Sequence, residues 1–360
     1  MNYYNSLDMD QKRREQQNIE KARDDDSILA DVLKEYLDKG ADINKRLSCG
    51  YTPLQTAILC RSPELVEELL SYHADVNIRA SDGETALSLA AKYGSLHIVK
   101  KLIETKQIEV HKEMNVLTDL YHTAALGGFR DTLKYLLQIG VPVNAKDSNG
   151  MFALHYCATM GHVNACKLLL DNGANLHTLS NFRETPLHGA CQGKHFQIVD
   201  RILKTGASAG ACVDAQNNEG VTALHIAASK GKLSIVKRLL SEQASINIPT
   251  YEGQTALHYA SLYGKDMTVE YLIKKGAFID ARNNCGFTPL HYSAEEGHQS
   301  VVKTLISHNA MINPRTEDGD TPLQCAATNG HEEIKRYLIA QGALVKAPLD
   351  YSTENHIHMK

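Results

Sequence analysis

The chain lacks any apolar run of the roughly 18 residues that a membrane-crossing helix needs, so no segment is expected to span a bilayer. Its opening residues are polar and charged and carry no apolar stretch of the secretory-signal type. A cytoplasmic location is therefore expected. No long basic run occurs and the formal net charge is -4. Sequence-independent nucleic-acid binding needs a positive field to displace counterions, so no nucleic-acid partner is expected. None of the eight cysteines (Cys49, Cys60, Cys157, Cys166, Cys191, Cys212, Cys285, Cys325) forms a C-x-x-C pair. They read as reduced thiols of a reducing compartment. Cys157 and Cys191 stand where sister segments carry alanine, which is a packing role. The phosphate-cradling G-x-x-x-x-G-K-[ST] phrase is missing, as are G-x-G-x-x-G, the G-x-S-x-G elbow and the H-E-x-x-H zinc helix. No catalytic residue, cofactor or metal site is expected.

What the chain does have is a phrase that returns. It reads Thr-Pro-Leu-His-x-Ala-Ala-x-x-Gly-His, followed by a run like Val-Lys-x-Leu-Leu-x-x-Gly-Ala-x-Val-Asn. It starts at Thr52, Thr85, Asp119, Phe152, Thr185, Thr222, Thr255, Thr288 and Thr321, at steps of 33, 34, 33, 33, 37, 33, 33 and 33 residues. Self-similarity at this period means stacked supersecondary units rather than a core folded once.

The segment from Thr222 to Leu240 shows how one unit works. Thr222 can cap a helix through its hydroxyl. At Thr52, Thr185, Thr288 and Thr321 the next residue is proline, suited to the first helical position because its missing N–H has no partner there. Leu224, Ala227 and Ala228 form a small apolar face, and Gly231 ends this first helix. Ile235, Val236, Leu239 and Leu240 recur at helical spacing and mark a second helix. Glycines such as Gly140, Gly173, Gly206, Gly276 and Gly342 then predict left-handed stops. Asp82-Gly83, Asn149-Gly150 and Asp318-Gly319 predict tight turns. The unit is helix, turn, helix, hairpin-like loop.

With its period, caps and turns, the chain resembles the ankyrin repeat family over about residues 26–345. The resemblance implies an all-α solenoid of stacked helix-turn-helix units with β-hairpin-like loops, about ten repeats. A partial first repeat covers 26–50, and others start near 51, 84, 118, 151, 184, 221, 254, 287 and 320. Residues 1–25 read as a charged segment, a helical cap or disordered arm, and 346–360 as a disordered tail. Two irregularities stand out. Between Thr105 and Leu117 the Gly-Ala stop is missing, and Asp119 replaces the Thr-Pro start, so a local distortion is expected, with Asp119 as the cap. Ser208–Ala211 adds about four residues to one loop, a small cost in closure entropy.

The histidines His122, His155, His188, His225, His258 and His291 occupy one slot per unit. Units stack at about 8–10 Å, far beyond the ~2 Å of a zinc–nitrogen bond, so successive rings cannot share one metal. They read as buried rings tying helix starts to adjacent loops. Loop residues Asn44, Asn77, Asn144, Asp214, Asn247, Asp280 and Asn313 read as turn formers that bond nearby backbone.

The resemblance implies binding through a concave face built from turn tips and first helices. Variable positions there are Arg46, Tyr51, Arg79, Lys92, Tyr93, Lys146, Met151, Met160, Phe182, Arg183, Lys230, Tyr251, Tyr263, Arg282 and Phe287, with Glu295 and Glu296 near the end. Aromatic and arginine side chains are the usual anchors of interfaces. Early units thus offer a basic and aromatic strip and the last two an acidic one. The expected function is a monomeric, non-catalytic scaffold or adaptor that binds a protein partner. The alternative is a secreted effector of an intracellular bacterium, acting in the host cytoplasm.

Overall fold

In the computed structural model the described residues are 42–47, 50–93, 95–108, 114–206 and 213–345. The expectations for residues 1–25, for most of the partial first repeat, for Ser208–Ala211, for Cys49 and Cys212 and for the tail from 346 lie outside them. Two compact units emerge: residues 1–157 with 164–174, and residues 158–163 with 175–360.

The first unit holds α1 (Pro53–Leu59), α2 (Pro63–Ser71), α3 (Ala86–Lys92), α4 (Leu96–Glu104), α5 (Met114–Gly127) and α6 (Arg130–Gln138), with most of α7 (Ala153–Met160) and α8 (Val163–Asp171). The second holds α9 (Pro186–Gln192), α10 (Phe196–Gly206), α11 (Ala223–Lys230), α12 (Leu233–Ser241), α13 (Ala256–Leu262), α14 (Asp266–Lys274), α15 (Pro289–Glu295), α16 (Gln299–Ser307), α17 (Pro322–Thr328) and α18 (Glu332–Ala340). Among the described residues β-structure is confined to an isolated antiparallel bridge between Lys146 and Phe152.

In the second unit the first helices α9, α11, α13, α15 and α17 pack in sequence, and the second helices α10, α12, α14, α16 and α18 form a parallel row. First helices are packed on several sides, which is why they are short and rich in alanine: α13 buries Ala256, Leu257, His258, Ala260 and Ser261. Second helices bury one stripe, such as Thr268, Val269 and Leu272 of α14. Each fully covered valine or leucine of that stripe contributes about 1.5–3 kcal/mol.

Two local expectations need correction. Asp119 caps nothing: α5 runs unbroken from Met114 to Gly127 and passes straight through it. The missing Thr-Pro start removes the stop signal, so the helix extends backward. Gly206 is the last residue of α10 rather than a left-handed stop. Elsewhere the stop conformation is held by non-glycine residues: His73 (φ 62), Lys106 (φ 58), Gln243 (φ 63) and Asn309 (φ 64).

Gly193 serves a different end. It stands one residue before the slot that Gly231 fills in the next repeat; its own φ is -75, and Lys194, which occupies that slot, takes the left-handed turn at φ 63. The glycine is needed for space. A β-carbon there would stand 2.3 Å from the Thr159 carbonyl oxygen and 2.3 Å from the His195 ring. Gly193→Ala is therefore expected to cost about 1–3 kcal/mol through overpacking. Lys194→Gly should instead gain about 1 kcal/mol by relieving the left-handed turn. Urea midpoints of the two variants, moving in opposite directions, check this pair.

Candidate binding surface

The surface is carried by turns, and the turns are fixed by side chains reaching into the next repeat. The slot histidines are the central part. Thr185 donates its backbone N–H to His188 Nδ1 at 3.1 Å, and His188 Nε2–H donates to the Val221 carbonyl at 3.1 Å. The same pair of bonds recurs at His225, whose acceptor is the Gln254 carbonyl, at His258 with that of Phe287, and at His291 with that of Asp320. Each ring is thus the third helical residue of a capping box and at the same time a clasp on the following repeat. With Nδ1 accepting, the proton sits on Nε2 and the ring is neutral. Burial lowers His188 and His291 from 6.5, and takes His225 and His258 to about 4. In the first unit His122 is held between the carbonyls of Thr118 (2.8 Å) and Ala145 (3.0 Å).

The loop asparagines and aspartates do more than bond nearby backbone. Asn44 Oδ1 accepts from the Asp75 N–H, Asp214 from Ser245, Asn247 from Phe278, Asp280 from Met311 and Asn313 from Leu344, all 31 residues ahead. The local turn bonds are made two residues earlier, as when Asp75 Oδ1 accepts from the Asn77 N–H.

The tips themselves are joined main chain to main chain. Asn218 N–H donates to the Phe182 carbonyl, Tyr251 to Glu219, Asn284 to Glu252 and Glu317 to Cys285, each close to 3.0 Å. In the first unit Ser81 donates to Gly50 at 3.2 Å. A tip side chain therefore projects from a backbone held on both sides.

Against this frame the anticipated residues fall into three groups. Arg46, Arg79, Lys92, Lys146, Met160, Phe182, Arg183, Tyr251, Tyr263, Arg282 and Glu296 are exposed. Tyr51, Tyr93, Lys230, Phe287 and Glu295 are half-buried. Met151 is buried, at 9% exposure, because its place before α7 turns it inward, and it offers no accessible surface. Several of the others have partners already. Tyr51 donates to Asp82 at 2.6 Å, a bond that raises the phenol to about 12 and holds the carboxyl below its usual range. Arg61 stacks over the Tyr93 ring. Phe287 packs on His291 and Tyr292. Arg46 donates to the Arg79 carbonyl and Arg282 to that of Arg315, so these guanidiniums tie consecutive loops together. Gln216 makes the same link to Pro249. Partial burial, then the adjacent Glu296, raises the Glu295 carboxyl.

Sequence reasoning overlooked two exposed tip carboxylates, Glu219 and Glu252. Their signal was available, since both directly precede a turn glycine, at Gly220 and Gly253. They bring acidity into the middle of the second unit, beside Tyr251, well before Glu295 and Glu296. Among the described residues no group of three or more histidine, cysteine, aspartate or glutamate side chains is arranged to hold a metal ion. No described helix is long and apolar enough to cross a membrane.

A family model for ankyrin repeats (3 copies) matches residues 23–114, 120–211, 187–283 and 278–348. Among curated proteins, the chain is 33% identical over 127 residues to the transient receptor potential cation channel subfamily A member 1 homolog of Caenorhabditis elegans, covering 35% of this chain and 10% of that protein. It is 30% identical over 220 residues to human transient receptor potential cation channel subfamily A member 1, covering 59% and 19%. It is also 30% identical over 183 residues to a Dirofilaria immitis protein named L-asparaginase, covering 41% and 31%. The chain thus spans a third or less of the length of these relatives. Among solved structures, the human ASB11 ankyrin repeat domain aligns with a TM-score of 0.54 at 28% identity, over 63% of this chain and 99% of that one.

Proposed function

The chain belongs to the ankyrin repeat family, and from that premise we propose that it is a non-catalytic scaffold whose second unit grips a protein partner with its turn tips and the ends of its first helices. Ankyrin repeats mediate protein–protein interaction, and the reading rests on one observation: large side chains stay exposed on tips whose backbone is already locked. Tyr251 is 64% exposed and Phe182 52%, yet the Tyr251 N–H and the Phe182 carbonyl are both engaged by neighbouring tips. Tyr263, 42% exposed, stands at the C-terminus of α13. Rigid aromatic side chains lose little entropy on binding and make the commonest interface anchors. Glu219, Glu252 and Glu296 would favour a partner segment carrying basic side chains beside its apolar ones.

The test is retention of partners from a lysate by the full chain and by a Phe182→Ala, Tyr251→Ala, Tyr263→Ala variant. At a hot spot worth ~2 kcal/mol, affinity should fall about thirtyfold per side chain. Thermal unfolding should stay unchanged, because these groups are largely outside the packed helices. A variant that keeps every partner at full strength would remove this face from consideration.

A further inference from the structure

Tyr259 of α13 and Tyr292 of α15 fill the same slot of adjacent, directly packed repeats, which places them about 8–10 Å apart. In the first unit Tyr156 fills it too. Each ring stands edge-on to the clasp histidine of the repeat before it: Tyr156 to His122, Tyr259 to His225 and Tyr292 to His258. The hydroxyls differ. Tyr156 donates to Asp147 at 2.6 Å. Tyr292 accepts from Gln254 at 2.7 Å and from Asn283 at 2.9 Å. For Tyr259 the counterparts of Gln254 and Asn283 are Val221 and Thr250. Valine has nothing to donate, and the short threonine hydroxyl accepts from the Gln254 N–H instead. The Tyr259 hydroxyl therefore makes no hydrogen bond with any described residue.

Acidic groups surround this ring. Glu219 and Glu252 hold the same tip position in consecutive repeats, and their carbonyls accept the Tyr251 and Asn284 N–H groups at 3.1 and 3.0 Å. Burial raises the Tyr259 phenol to about 12, and the charges of Glu219 and Glu252 add to the rise. Burial likewise raises Tyr292, with Glu295 and Glu252 adding to it. Among the described residues none of Glu219, Glu252 and Glu295 has an ion-pair partner. Tyr263, four residues on from Tyr259, extends the aromatic wall along the same face of α13. Aromatic faces beside unpaired carboxylates attract a cation, and of the basic side chains arginine fits better. Its planar guanidinium stacks on a ring while its several N–H groups reach separate acceptors. We propose that an arginine side chain of the protein partner docks between Tyr259 and Tyr292, its guanidinium donating to the Tyr259 hydroxyl and to the carboxylates of Glu219 and Glu252. This assignment rests on the reading of the second unit as a partner-binding face and names the residue type that the face selects.

Fluorine NMR of the full chain, with fluorotyrosine in place of tyrosine, reads the site directly. The Tyr259 signal is the one missing from Tyr259→Phe. Acetyl-Gly-Arg-Gly-amide should shift it saturably, with a dissociation constant on the order of 1 mM for one stacked and charge-assisted contact. The citrulline analogue, similar in shape but uncharged, should leave the signal in place. The lysine analogue should bind about fivefold more weakly. Glu219→Gln with Glu252→Gln should weaken the arginine peptide about tenfold, and thermal unfolding should not change because both side chains are exposed. No saturable shift at about ten times the expected dissociation constant overturns the proposal. So does equal affinity for the lysine or the citrulline peptide. A silent Tyr259 signal in a protein whose partners are still lost through Phe182→Ala, Tyr251→Ala, Tyr263→Ala strikes out the arginine site alone and leaves the tip surface standing.

Discussion

Acidification from pH 7 to pH 4 should strip about 3 kcal/mol of stability from the second unit for each of His225 and His258. In the folded chain burial holds these two rings at about 4, against an ordinary 6.5. Between those values the unfolded chain binds the extra proton and the folded chain does not. Stability is therefore complete above pH 6.5 and is lost as pH falls through the window. His188 and His291 are lowered by the same burial and add loss in the same direction. The chain carries its own control. Gln55 occupies the histidine slot in α1, where its Oε1 accepts from the Thr52 N–H at 2.8 Å and its Nε2 donates to the carbonyls of Ile78 and Glu84. Glutamine thus performs both halves of the clasp without titrating. A His225→Gln, His258→Gln variant should fold and should lose much less stability between pH 7 and pH 4.5, as read from urea midpoints. An identical loss in both proteins would place the acid sensitivity elsewhere, on carboxylates such as Asp200, which Lys204 and Arg238 hold below the usual range.

Tyr121→Ala should cost about 3–5 kcal/mol, the largest effect expected of a single replacement in the first unit. Tyr121 is fully buried in α5, in the slot that leucine fills in sister helices. Its hydroxyl donates to the Val143 carbonyl at 3.2 Å, and burial raises the phenol well above 10. Tyr121→Phe keeps the volume and removes only that bond, so it should cost about 1–3 kcal/mol for a carbonyl left without its donor. Denaturant unfolding of the two variants separates volume from hydrogen bonding. Comparable losses would mean that the hydroxyl, and not the ring, secures this helix.

The repeat was legible because its period, caps and apolar stripes all derive from local rules. Thr52, Thr85, Thr222 and Thr255 cap where the phrase places them. Less was legible where one residue type serves two physical ends. Glycine at 193 makes room for a carbonyl, while glycine at 231 adopts φ 67 at a helix end, and the letter does not distinguish them. The α5 extension was half legible: the missing Thr-Pro start marked the place as irregular, but not as a longer helix. At the surface, its place beside a turn glycine put Met151 among the variable positions of the binding face, and only packing could reveal that it points in. Arg46 and Arg282 are exposed by sequence and by structure alike, yet their guanidiniums serve the loops beside them. Such long-range bonds join residues 29 to 33 positions apart, beyond any local pattern.

Those bonds run forward along the chain, and this bears on synthesis. When the ribosome has released residues only as far as α13, His258 still awaits the Phe287 carbonyl and Asn247 awaits the Phe278 amide. A nascent repeat is therefore unfinished until the next has emerged. Consolidation should trail elongation by one module, leaving the most recently made helices the most open to proteases at every moment of translation.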